Sequence, residues 1–179
     1  MRIEAFAIGL LLLAPPAQAQ VPQKLPLPHG PGQQSLQFGS ANLTIAMPAP
    51  DSAAPIMITA AAPGTKPVTL SLDHHPDAHE FPPNISLVEM DAGNATPEFF
   101  VSRFSGGAHC CAEVQILDVV AGQWRIVNGG SWDGDEIVPE DADGSGEQEI
   151  AHGDDRFLYR YSCYACACTP LRAFKLVQG

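Results

Sequence analysis

Nine consecutive residues carry the densest oxygen chemistry of the chain: Asp141, Ala142, Asp143, Gly144, Ser145, Gly146, Glu147, Gln148 and Glu149. Side-chain oxygens stand at positions 1, 3, 5 and 9 of this run, and the backbone carbonyl of Glu147 stands at position 7. Hard cations such as Ca²⁺ take about six to eight oxygens at roughly 2.3–2.6 Å. A tightly curled loop turns alternate residues toward one centre. Gly144 and Gly146 permit the curl, because glycine adopts positive φ without a Cβ clash. Asp141, Asp143, Ser145, Glu147 and Glu149 are therefore the candidate ligands of one Ca²⁺, with water completing the shell. No organic cofactor is expected. The run is not an EF-hand loop, which needs a bidentate Glu at position 12 where this chain has His152.

Sulfur forms the second constellation. Cys110 and Cys111 end the stretch Ser105-Gly-Gly-Ala-His109-Cys-Cys, and Cys163, Cys166 and Cys168 cluster near the C-terminus. In an oxidising compartment disulfides are the default. Two groups far apart in sequence predict a bridge from the Cys110/Cys111 pair to the later cluster, and five cysteines leave one thiol over. The rival reading is a soft-metal site for Zn²⁺ or Cu(I) built from His109, Cys110, Cys111, Cys163, Cys166 and Cys168. Cys163-Tyr-Ala-Cys166 is also formally a redox spacing, although thioredoxin-type pairs open a helix in a βαβ pattern and this one has strand-like, aromatic surroundings.

Two weaker clusters complete the inventory. Residues 73–80 collect His74, His75 and His79 with three acids, but Pro76 breaks the helix that would align the histidines, so a solvated turn is expected. Asp133, Asp135 and Glu136 beside Trp132 imitate a carboxylate hydrolase site, whose outcome rests on carboxylate separation. An acidic hairpin tip explains them more simply. Nucleophile elbow, phosphate loop and dinucleotide fingerprint are all missing from the sequence.

These groups must be positioned by strands. Seventeen prolines and 16 glycines exclude a helical bundle. Short runs rich in Val, Ile, Thr and Phe predict strands over residues 36–47, 56–61, 68–72, 85–90, 99–104, 113–120, 124–127, 157–161 and 171–177. Gly122-Gln123 reads as a tight hairpin between two of them. The predicted class is all-β, mostly antiparallel, with room for one short helix. A weak repeat at an offset of 51 aligns Glu89 with Glu140, Gly93 with Gly144 and Glu98 with Glu149. It predicts two blade-like β units, 85–136 and 137–179, which are too few to close a propeller. Residues 35–179 are read as a single disulfide-stapled domain. Residues 20–34, rich in Pro, Gln and Gly, are read as a flexible lead.

The address comes from residues 1–19, where a basic start, an apolar run of about ten residues and Ala17-Gln18-Ala19 make a secretory signal. No later run is long enough to span a bilayer, so a periplasmic or secreted location is expected. With 20 acidic and 9 basic residues the formal net charge is −11, which argues against nucleic acid and anionic lipid as partners.

The acidic run resembles the calcium loops of FG-GAP and VCBS-type repeats, the integrin-α-like blades. Those read Asp-x-Asp-Gly-Asp-Gly-x-x-Asp/Glu before an apolar strand. Here Asp141, Asp143, Ser145 and Glu149 take the ligand places and Ile150 opens the strand, while Ser145 replaces the third Asp and removes a charge. The upstream copy lacks carboxylates at positions 1 and 3, where Met90 and Ala92 stand, and is read as the same loop without an ion. The resemblance, over about residues 85–179, implies a stapling ion and a role in adhesion or recognition rather than a reaction. Residues 105–111 are similar to a stretch of small exported bacterial proteins with such degenerate repeats, which implies no chemistry. The expected function is a non-catalytic binding module that meets an envelope or extracellular protein or glycan. The alternatives are a transition-metal or thiol protein and a carboxylate hydrolase.

Overall fold

A computed structural model of the chain describes residues 22–73, 81–94, 96–106 and 110–177. The signal segment, the histidine loop 74–80 and His109 lie outside the described residues. Among the described residues eleven strands form three antiparallel sheets, none closed into a barrel or propeller. The four-stranded sheet runs β2 (Gly32–Phe38), β3 (Ala41–Met47), β4 (Ile56–Ala61) and β5 (Val68–Leu72) in simple meander order. The five-stranded sheet orders β1 (Gln23–Lys24), β6 (Asn84–Val88), β7 (Glu98–Phe104), β8 (Cys110–Val120) and β9 (Gln123–Asp133). A small third sheet pairs β10 (Ile150–Gly153) with β11 (Leu171–Phe174).

The layers follow from alternation. β3 and β4 bury every second residue, and Leu43, Ile45, Ile56 and Ile58 meet Ile85, Phe99, Val101, Leu117 and Trp124 from the five-stranded sheet in one core. The opposite face of that sheet is also covered. There Phe100, Val114 and Ile116 pack with Ile137, Ile150 and the partly buried Phe174 in a second core. β7 therefore reads Glu-Phe-Phe-Val-Ser with all five residues buried, because it runs between two cores. A strand with one wet face would alternate instead.

Several expectations are corrected. The run 36–47 is a hairpin, since Gly39 turns at φ 56° between β2 and β3. The turn between β8 and β9 is Ala121-Gly122, both at positive φ (49° and 73°), one residue earlier than expected. Positive φ at both central positions is the type I′ geometry that matches strand twist. The stretch 157–161 is no strand. Its aromatic residues stack on neighbours instead, Phe157 on Tyr161 and Tyr159 on Tyr164. No α-helix occurs among the described residues, only 3₁₀ turns at Asp155–Phe157 and Tyr164–Cys166. Part of the lead is anchored: β1 pairs with β6, Leu25 is buried, and β2 begins at Gly32.

Candidate metal centre

The acidic run leads directly into β10, whose first residue, Ile150, belongs to the second core. Its ends are clamped by a two-way backbone bridge, in which Glu140 N donates to Glu149 O (3.0 Å) and Glu149 N to Glu140 O (2.7 Å). Gly144 (φ 75°) and Gly146 (φ 95°) supply the expected curl. Asp141, Asp143 and Glu149 converge, with one carboxylate oxygen from each within 4.8 Å of the others. Each spends its other oxygen on the loop itself. Asp141 Oδ2 accepts from Gly146 N (3.1 Å), Asp143 Oδ1 from Ser145 N (3.0 Å) and Glu149 Oε2 from Ala142 N (2.8 Å). Asp141 Oδ1 is buried and accepts no hydrogen bond, while the equally buried Glu149 Oε1 meets the ammonium of Lys175 at 3.3 Å.

Among the described residues a cation stands there that sequence reasoning missed. Lys175, just past β11, brings its Nζ to 2.9 Å from Asp143 Oδ2 and 3.3 Å from Glu149 Oε1, and to 3.9 Å from Glu147 Oε2. Its hydrogen bond to Asp143 holds that carboxyl down to about 2, and Asp143, then Glu149, raise the ammonium in return. No local motif announces Lys175. It arrives because β11 pairs with β10, which continues straight from the loop.

Ser145 and Glu147 take other partners. Ser145 Oγ accepts from Glu147 N (3.3 Å), and Glu147 Oε1 accepts from Ala92 N (3.0 Å) in the upstream loop. Gln148 completes the cross-link: its side-chain oxygen accepts from Glu89 N (2.7 Å) and its own N donates to Glu89 O (2.7 Å). The loops at 89–98 and 140–149 thus dock edge to edge through polar groups.

The upstream loop closes on itself. Glu98 Oε2 accepts from Met90 N (2.6 Å), Glu98 Oε1 from the Asn94 amide (3.3 Å), and the same amide reaches Asp91 (3.2 Å). Glu98 is fully buried, and Phe99 pairs with Leu117, so the next step places Glu98 opposite the equally buried Asp118. Burial, with Glu89 and Asp118 nearby, raises Glu98 to about 7 against the backbone and Asn94 hydrogen bonds. Glu89 is raised as well, chiefly by burial. Asp118 is bound by Arg125 Nε at 2.9 Å across the β8–β9 ladder.

The cysteine expectations change. Cys163 and Cys166 are bonded to each other and Cys168 is a free, exposed thiol. The predicted long staple to Cys111 is therefore not made, although Cys111 is itself disulfide-bonded. A sulfur already in a disulfide cannot act as a thiolate ligand, so the soft-metal set loses Cys111, Cys163 and Cys166. Of the hydrolase constellation the fold uses Trp132 and Asp133, while Asp135 and Glu136 are exposed. Trp132 packs on Phe174 and His152 and donates from Nε1 to Gly129 O (2.9 Å). Asp133 accepts from the Tyr164 hydroxyl (2.5 Å), a bond that pushes the phenol up to about 12.

Two curated proteins are similar to about half of the chain. A probable thylakoid lumen protein of Synechocystis sp. is 31% identical over 97 residues, which are 53% of this chain and 29% of that one. An uncharacterized protein of Sinorhizobium fredii is 35% identical over 92 residues, 51% and 15% of the two chains. The chain spans less than a third of each relative it matches. No family model matches it, and no solved structure matches it significantly. No helix among the described residues is long and apolar enough to cross a membrane.

Proposed function

We propose that the chain is an exported, non-catalytic binding module of the cell envelope or extracellular space, fixed in shape by a Ca²⁺ in the loop at 140–149. The observation that carries the cation is Asp141 Oδ1, a buried oxygen without a hydrogen bond on a carboxylate that converges with those of Asp143 and Glu149. A buried carboxylate oxygen without a donor is costly, and a divalent ion offsets that cost. The ammonium of Lys175 pairs with Asp143, Glu147 and Glu149, and the carboxylate of Asp141 converges on the same group. Export is supported by the signal-like residues 1–19 and by the lumenal relative. The ion's role is structural: it stiffens the loop through which Glu147 and Gln148 hold the upstream loop. The recognition surface belongs to an envelope or extracellular protein or glycan.

The test is the melting temperature of the mature, oxidised protein, chelated and then in millimolar Ca²⁺, beside Asp143→Ala. A rise with Ca²⁺ that the variant loses is expected, because a ligand bound only by the folded state stabilises it. Identical melting in chelator and Ca²⁺ reduces the loop to an acidic turn neutralised by Lys175.

A further inference from the structure

The Cys163–Cys166 bridge takes no part in either core. Both residues are exposed, and the bond encloses one 3₁₀ turn, in which Cys166 N donates to Cys163 O (3.0 Å). A disulfide stabilises by restraining the unfolded chain, more so as the closed loop lengthens. A bridge between residues three apart restrains little. Exposed disulfides are the more oxidising, labile ones, whereas buried structural ones resist reduction. Two residues further on stands Cys168, an exposed free thiol. Around the bridge lie solvent-facing apolar groups, with Tyr159 65%, Tyr161 80% and Leu171 69% exposed. The segment thus places a reachable disulfide, a second thiol and an aromatic surface on one exposed stretch, without a contribution to packing that would explain the bond.

We propose that residues 163–168 form a thiol–disulfide exchange site that oxidises dithiols of extended polypeptides. A substrate thiolate attacks one sulfur of the bridge. The Cys163–Cys166 bond breaks, the other cysteine leaves as a thiolate, and a mixed disulfide forms. The second substrate thiolate then attacks its own partner sulfur in the mixed disulfide, which closes the substrate disulfide and releases the second cysteine. Two electrons pass from the substrate dithiol to the bridge, and the protons lost by the substrate end on Cys163 and Cys166. Cys168 can make the same attack on a mixed disulfide carried by its neighbour, which expels a substrate that has no second thiol and closes a disulfide within the segment. The attacking group is the substrate's thiolate, so the rate follows the substrate's thiolate fraction and rises with pH until the substrate thiols are ionised. This inference is independent of the cation site.

The experiment mixes the oxidised mature protein with a synthetic dithiol peptide under argon, quenches with acid, alkylates and maps thiols by mass spectrometry. The expected result is one peptide disulfide for each protein, with the new thiols at Cys163 and Cys166. Cys163→Ser/Cys166→Ser should melt like the native protein and oxidise no peptide, and Cys168→Ser should still oxidise the dithiol peptide, since the released cysteine of the pair remains. Mapping on the native protein decides the matter even if a variant fails to fold. An intact Cys163–Cys166 bridge, under conditions in which glutathione disulfide oxidises the same peptide, overturns the proposal. So does peptide oxidation with the new thiol at Cys111.

Discussion

Glu98→Gln tests the energetics of the buried face directly. Glu98 titrates near 7 in the folded chain instead of its ordinary 4.5. Between those two values the folded state binds more protons at this site than the unfolded state does. Stability therefore falls as pH rises from about 4.5 to about 7 and levels off above. The displacement of about 2.5 units corresponds to about 3 kcal/mol at roughly 1.36 kcal/mol per unit. In a chain of this length that is roughly 6–12 °C in melting temperature. Glutamine cannot ionise, so Glu98→Gln should lack this component of the slope. The amide also changes the contacts to Met90 N and Asn94, which shifts the variant's stability by an amount independent of pH. The diagnostic is thus the difference in slope between native protein and variant, not the absolute level. Urea melts from pH 4 to 8.5 in chelator provide it. The contributions of Asp143 and Asp154, both held down to about 2, are lost only as pH falls below their ordinary 3.8, so they lie outside this window. Parallel curves for the two proteins would refute the claim that Glu98 is a buried acid.

Two further outcomes follow from packing and charge. Lys175→Met removes the ammonium from Asp143 and Glu149, so Ca²⁺ affinity measured by calorimetry should rise a few-fold and the Asp143 carboxyl should titrate higher by NMR. Unchanged affinity would mean that Lys175 does not compete for the ion. Gly129→Ala places a Cβ 2.4 Å from Val114 Cγ1 and 3.3 Å from Ile150 Cδ1, so the variant should lose about 1–3 kcal/mol in urea unfolding. A neutral result would show that β9 yields at Gly129, the extra residue where Val114 pairs with Gly130 and Gln115 with Asn128.

What the sequence made legible follows the reach of each signal. Strands 56–61 and 68–72 were readable residue for residue, because apolar alternation is local and each run ends in turn residues. The convergence of Asp141, Asp143 and Glu149 was readable for the same reason, since nine adjacent residues carry the whole pattern. Lys175 was not, because 26 residues and a strand pairing separate it from Glu149. The aromatic run at 157–161 misled, because strand-type composition does not distinguish a pleated strand from a chain whose rings stack on each other, with Tyr159 at φ 57°. Cysteine pairing stayed open because five sulfurs in two groups admit several connectivities, and only their placement selects Cys163 with Cys166.

The docking of the two loops has a consequence for the order in which the protein opens. The β10–β11 pair joins the rest through the second core and through a polar seam, Gln148 to Glu89 and Glu147 to Ala92. The two larger sheets hold one another through the first core. Amides of β10 and β11 should therefore exchange with solvent through a partial opening that leaves those sheets paired, whereas the amides of β7, covered on both faces, should exchange only when the whole molecule unfolds. The C-terminal lobe is then a separate cooperative unit, able to detach and return while the sandwich beneath it persists.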